Sequence, residues 1–142
     1  MDKIESLLPH RDPFLFVDRL EKADKEEIVG YRTYTDGEFF FKGHFPGYPV
    51  VPGVVLVETL AQCGGAGVRA SGALSDDALF FLATVDKAKF KRQVRPGETV
   101  RLVITNLRVS TRMIKQKGQA FVGDELAAEA EWLCLVGQAG GS

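Results

Sequence analysis

Residues 52–70 read P-G-V-V-L-V-E-T-L-A-Q-C-G-G-A-G-V-R-A. Proline suits the first position of a helix, and apolar side chains then occupy nearly the whole circumference of the helix that would follow. A helix that is apolar on all sides is normally wrapped by other structure. Glu58 and Gln62 are the polar exceptions, and their i,i+4 spacing predicts that both project from one face, where the amide can hydrogen-bond the carboxyl.

Shorter segments on both sides of this helix have the composition of strands separated by turns. A short helix is predicted at 2–8 and an ordered loop at 39–53, which holds three of the six prolines of the chain. One buried helix followed by a long antiparallel meander is typical of the α+β class. The predicted strands cover 14–20, 28–35, 79–85, 87–94, 99–109, 113–122 and 126–136.

The composition predicts a single soluble domain. With 142 residues and 45% hydrophobic content, the chain is long enough for one core, which we place at residues 1–136, followed by a flexible small-residue tail at 137–142. A formal net charge of −1 gives none of the global field expected of a nucleic-acid-binding protein. No apolar run approaches the ~20 residues that a membrane span requires, so a cytoplasmic protein without membrane insertion is expected.

The two cysteines, Cys63 and Cys134, lie in apolar stretches far apart in the chain, without the spacing of metal ligands or of a redox pair. Two buried, reduced thiols are therefore expected rather than a disulfide, which suits the cytoplasm. The sequence offers no cluster of metal ligands.

A loop rich in proline and glycine precedes the helix and contains His44. It reads G-H-F-P-G-Y-P-V-V-P-G over residues 43–53, and together with Glu58 and Gln62 it resembles the signature of the β-hydroxyacyl-acyl-carrier-protein dehydratases of the FabZ type. This resemblance implies a hot-dog fold, an antiparallel sheet wrapped around a long central helix, paired as a homodimer and often as a trimer of dimers. Further similar segments lie at 8–19, 85–97 and 127–131, so that the resemblance covers nearly the whole chain to Val136.

The resemblance implies dehydration of (3R)-3-hydroxyacyl-[acyl-carrier-protein] to the trans-2-enoyl thioester in fatty acid biosynthesis, by a hydro-lyase without cofactors. It assigns catalysis to His44 and Glu58, contributed by different protomers. These residue types suit the chemistry, because an imidazole can take the C2 proton near neutral pH while a carboxyl protonates the departing C3 hydroxyl. Gly53 and Gln62 are expected to support the site, the Gly53 amide by donating to the thioester oxygen at the helix N-terminus and Gln62 by orienting Glu58. Glutamate at this position resembles the type that dehydrates without isomerising the double bond.

Three further features have two interpretations each. Phe81 aligns approximately with an aromatic gate of the family, where some members have tyrosine, and is expected either to line an acyl tunnel or to belong to the core. His10 is expected to be structural or to lie at a subunit contact rather than to act in catalysis. A basic cluster could dock the acidic acyl carrier protein or form a solvated strand face. The members of the basic cluster are Lys87, Lys89, Lys91, Arg92 and Arg95.

Two alternative functions use the same fold. An acyl-thioester hydrolase would need an activated water and would release free acid, and the combination of the His44 loop with Glu58 argues against it. A non-catalytic acyl-binding module would keep the pocket without turnover, and the presence of both candidate catalytic residues argues against that function as well.

Overall fold

A computed structural model of the protein describes residues 3–43 and 47–138. Within these residues lie the helices α1 (Ile4–Leu7) and α2 (Gly53–Ala70) and a 3-10 turn at Phe39–Phe41. The strands are β1 (Arg19–Ala23), β2 (Glu27–Thr33), β3 (Ala78–Phe90), β4 (Thr99–Val109), β5 (Met113–Val122) and β6 (Glu125–Gln138).

The six strands form one antiparallel sheet in the order β1-β2-β4-β5-β6-β3, and α2 packs against all of them. Every residue of α2 from Thr59 to Val68 is buried, as the apolar circumference predicts. Glycines let the helix lie close to the sheet, since a Cβ at Gly67 would overlap the side chain of Ile28. The expected α+β architecture, a sheet around a central helix, is therefore confirmed.

β3 differs from the prediction in length and in position. The predicted strands 79–85 and 87–94 are one strand ending at Phe90, and the meander is limited to β4, β5 and β6 because β3 pairs with β6 at the far edge. The pairing register shifts between Asp86 and Lys89, and Lys87 has a φ of 53°. This irregularity interrupts the two-residue alternation of side chains along the strand, which explains why the sequence pattern predicted two strands here.

Residues 14–18 are not part of a strand, although the Asp18 amide donates to the Tyr31 carbonyl oxygen of β2 at 2.8 Å, so the strand predicted at 14–20 is wrong over most of its length. The amide of Phe16 donates to Gln62 Oε1 at 2.9 Å, and Gln62 Nε2 donates to the carbonyl oxygen of Phe14 at 3.0 Å. A helix side chain thus replaces the neighbouring strand as the partner of this backbone. β1 begins only at Arg19.

Most other predicted bounds hold within two residues. Those of β4 and β5 are confirmed, β2 ends two residues early, and β6 continues to Gln138, two residues into the predicted tail. The predicted first helix is limited to α1, and residues 1–2 and 139–142 lie outside the described residues. Cys63 and Cys134 are free and buried, as expected. In the described part of the chain, no helix is both long and apolar enough to cross a membrane.

Candidate active site

Gln62 fixes the orientation of Glu58 on α2. Its side chain is 1% exposed, and its Nε2 donates to Glu58 Oε2 at 2.8 Å, which confirms the predicted i,i+4 hydrogen bond. The amide cannot be flipped, because its oxygen accepts from the Phe16 backbone amide while its nitrogen donates to the Phe14 carbonyl oxygen. Glu58 Oε2 is therefore an acceptor toward Gln62, whatever the protonation state of the carboxyl.

His10 is the second polar neighbour of Glu58. His10 Nε2 lies 3.7 Å from Glu58 Oε2, and both side chains are about a quarter exposed, at 23% and 24%. Burial lowers the pKa of His10 from its ordinary value; the Glu58 carboxylate opposes that shift and Arg11 adds to it. The sequence-based expectation that His10 is structural or lies at a subunit contact did not include this position. Nothing in the local sequence indicates that the segment folds back onto α2.

Glu58, Gln62 and Phe81 line one pocket of about 340 Å³. The other walls include the ring of Phe80 and the thiol of Cys134. The structure thus brings three of the predicted site residues together around a largely apolar space, the usual character of a small-molecule site. Phe81 is 57% exposed, so it forms a wall rather than a core contact within one protomer. Its role as a tunnel residue stays a prediction.

Gly53 is the first residue of α2 and is not in this pocket. A Cβ at Gly53 would lie 3.0 Å from the ring of Phe90, a tight approach that the sequence does not show. The first amides of a helix have no intrahelical partner, and within residues 3–43 and 47–138 the Gly53 amide has no other acceptor. It is free to donate to a ligand oxygen.

Burial, with a smaller contribution from Glu58, raises the pKa of Cys134 to about 12. The side chain is therefore a neutral thiol at physiological pH and serves as an apolar part of the pocket wall. Sequence reasoning placed Cys134 among the buried thiols but not beside Glu58. The cross-strand register explains this position, because Leu82, which also lines the pocket, pairs with Cys134 on β6.

The sequence is similar to known proteins over nearly its full length. A family model described as the FabA-like domain matches residues 8–131. The chain belongs to the FabA-like family. A relative from Desulforamulus reducens, named 3-hydroxyacyl-[acyl-carrier-protein] dehydratase FabZ, is 45% identical over 139 residues, which are 97% of this chain and 97% of the relative. A relative of the same name from Koribacter versatilis is 44% identical over 134 residues, 94% of this chain and 86% of that one.

Two solved structures share the fold of this chain. The dehydratase heterocomplex ApeI:P from Xenorhabdus doucetiae superimposes with a TM-score of 0.79 at 16% identity, covering 98% of this chain and 92% of that chain. A putative thioesterase from Ralstonia eutropha gives a TM-score of 0.68 at 18% identity, with 94% and 99% covered. At these identities the two structures show the fold alone.

Two further predictions for this FabZ-type chain concern His44 and the basic cluster. His44 lies outside the described residues. In the basic cluster, Lys89 is exposed on β3, while Lys87 pairs with Glu131 at 3.2 Å. Arg92 pairs with Glu98 at 2.7 Å. Part of the positive charge of the cluster is thus already compensated within the protomer.

Proposed function

We propose that this protein dehydrates (3R)-3-hydroxyacyl groups carried as thioesters on acyl carrier protein, a hydro-lyase reaction of fatty acid biosynthesis that yields the trans-2-enoyl thioester. The observation that carries the proposal is the Glu58 carboxyl, which accepts a hydrogen bond of 2.8 Å from a fixed Gln62 amide and lines a pocket with largely apolar walls. It occurs in a chain 45% identical to a protein named as a FabZ dehydratase.

Glu58 is the proposed general acid. Its Oε2 accepts the hydrogen bond from Gln62, so we assign the delivery of the acid proton to Oε1, the oxygen that does not face Gln62. In the proposed reaction, a base takes the C2 proton and the electrons of that C–H bond form the C2–C3 double bond. The C3–O bond breaks as Oε1 delivers its proton, so that the hydroxyl leaves as water.

His44 is the proposed base, an assignment that rests on the sequence motif because His44 lies outside the described residues. As the C2 proton leaves, negative charge builds on the thioester oxygen. The Gly53 amide is the proposed donor to that oxygen, since it has no acceptor in the described residues and the N-terminus of a helix favours negative charge. All three groups lie on α2 or on the loop before it in the sequence, and in the proposed dimer His44 of one protomer acts with Glu58 of the other.

The proposed assembly is a homodimer formed at the free edge of β3. Within the described residues β3 pairs only with β6, and every residue from Phe81 to Phe90 is exposed. Four of these are large apolar side chains, which a monomer would leave in water at an unprotected sheet edge. A second copy related by a two-fold axis would cover them. The apolar residues concerned are Phe81, Leu82, Val85 and Phe90.

A homodimer also fits the resemblance, which implies that His44 of one protomer acts with Glu58 of the other; a trimer of dimers would add further contacts.

We further propose that the exposed lysines of the basic cluster bind the acidic acyl carrier protein, as their charge suits such a partner. The free, buried state of both cysteines suits a cytoplasmic location.

Mass spectrometry of the purified protein with 3-hydroxyacyl-acyl carrier protein tests the reaction. The intact thioester is expected to lose one water. Glu58→Gln is expected to reduce the rate by about 10²–10⁴-fold, since it removes the acid proton. Glu26→Gln is the matched control, because Glu26 is an exposed carboxyl on the turn between β1 and β2.

Three other outcomes would contradict the proposal. Release of free carrier protein without loss of water would identify a thioester hydrolase. Unchanged substrate across several chain lengths would identify an acyl-binding module. An equal loss of rate in Glu58→Gln and Glu26→Gln would remove Glu58 from the mechanism.

A further inference from the structure

The Glu58 carboxyl has a second potential donor besides Gln62. A general acid must present one particular oxygen to the substrate, because a misplacement of about 1 Å can cost about 100-fold in rate. Gln62 contacts only Oε2 of this carboxyl. The same oxygen faces His10 Nε2 at 3.7 Å.

The surroundings of His10 determine which nitrogen carries its proton. Its Nδ1 is buried and has no hydrogen-bond partner among the described residues. A neutral imidazole has one N–H, and buried N–H donors without an acceptor are rare in proteins. A proton on Nε2 avoids such a buried donor and directs the N–H toward Glu58. Burial, which lowers the pKa of His10, favours the neutral ring at physiological pH.

Two aromatic rings lie near the His10 imidazole. The ring of Phe14 is nearly parallel to it, with centroids 6.5 Å apart and an interplanar angle of 23°, and the ring of Phe80 lies at 6.4 Å. The adjacent Arg11 is bound elsewhere, because its guanidinium donates to the backbone oxygens of Leu8, His10 and Glu5. Among the described charged side chains, the carboxylate that lies within 4 Å of His10 Nε2 is that of Glu58.

We propose that His10 is a positioning residue for Glu58. In this arrangement the Nε2–H of His10 and the Gln62 amide both donate to Oε2 of the carboxyl. The other oxygen, Oε1, is then left to deliver the acid proton to the substrate. This inference rests on the proposed role of Glu58 as general acid. The 3.7 Å separation must shorten by roughly 0.7 Å to reach an ordinary hydrogen bond. Catalytic hydrogen bonds are often long without substrate and tighten in the complex.

Three substitutions of His10 separate donation from packing. Glutamine places an amide nitrogen near the position of Nε2, so His10→Gln is expected to keep kcat within about threefold of wild type. Phenylalanine keeps a ring near Phe14 and Phe80 but has no donor, and asparagine has a donor on a side chain that is too short to reach Glu58. Both are expected to lower kcat by about 10–100-fold with little change in KM. Equal kcat in all four proteins, or equal losses in all three variants, would overturn the proposal.

Nitrogen-15 NMR of the wild-type protein provides a test that does not depend on turnover. The spectrum of His10 is expected to show the neutral ring protonated on Nε2, and Glu58→Gln is expected to shift the Nε2 resonance. A ring protonated on Nδ1 would overturn the positioning role even if the protein dehydrates its substrate. If instead wild type does not dehydrate, the proposed function fails, while the NMR result still decides whether His10 donates toward Glu58.

Discussion

Gln62 and Gln116 form a matched pair of buried amides, and comparing them measures how much Gln62 contributes to the proposed role of the Glu58 carboxyl. Each side chain is 1% exposed and makes three hydrogen bonds. One bond of Gln62 goes to Glu58. Gln116 instead accepts from the Trp132 indole at 3.0 Å and donates to the Gly64 carbonyl oxygen at 3.2 Å and to a neighbouring amide side chain.

Replacing either glutamine with leucine keeps the approximate volume and removes all three bonds. A hydrogen bond contributes about 1 kcal/mol net, and a buried group left without a partner costs about 1–3 kcal/mol. We therefore expect both Gln62→Leu and Gln116→Leu to lose about 3–5 kcal/mol of unfolding free energy, a large part of the roughly 5–15 kcal/mol available to a domain. Only Gln62→Leu is expected to lose about 10–100-fold in kcat as well, because Glu58 loses its fixed donor.

Urea unfolding at one protein concentration measures the loss of unfolding free energy. The loss of kcat is measured by dehydration of the carrier-protein thioester at a temperature where both variants are folded. A normal kcat for Gln62→Leu, or an equal fall in kcat for Gln116→Leu, would refute the assignment of Gln62 to the site. A loss of stability in one variant only would refute the claim that the two amides are energetically equivalent.

Two further predictions concern assembly and pH. Val85→Glu places a charge on the free edge of β3 and is expected to convert dimer to monomer in analytical ultracentrifugation; Leu107→Glu, on a similarly exposed residue of β4, is the control and should sediment as wild type. Burial lowers the pKa of His10; Glu58 opposes this shift and Arg11 adds to it. The unfolded chain therefore binds the imidazole proton near pH 6.5, while the folded chain binds it only at lower pH. Wild type should therefore lose more stability than His10→Phe as the pH falls from 7 to 5, and parallel urea midpoints would contradict this.

Local patterns predicted those elements whose partners are close in sequence or whose burial is regular. β5 alternates buried and exposed residues along most of its length, which is the two-residue period of a half-buried strand, and its bounds were correctly predicted. The Gln62–Glu58 hydrogen bond was predictable for a similar reason, because both residues lie on one helix four positions apart. The apolar circumference of α2 likewise indicated that the helix is enclosed.

Long-range contacts explain what the sequence did not reveal. The segment around Phe14 and Phe16 has the apolar composition of a strand. Its backbone, however, is hydrogen-bonded to a side chain 46 to 48 positions away, and no local pattern shows that contact. The approach of His10 to Glu58 is likewise a contact between residues that are 48 positions apart. The edge position of β3 follows from its pairing with β6, and no local signal distinguishes that pairing from a continuous meander.

The strand β3 supplies a wall of the pocket and, in the proposed dimer, the surface on which two copies meet, with Phe81 and Leu82 belonging to both. Substrate occupancy and self-association are then thermodynamically linked, since any ligand that orders these side chains changes the dissociation constant of the pair, and the pair changes the affinity for the ligand by the same factor. If the dimer is the active form, specific activity would consequently depend on enzyme concentration and fall on dilution.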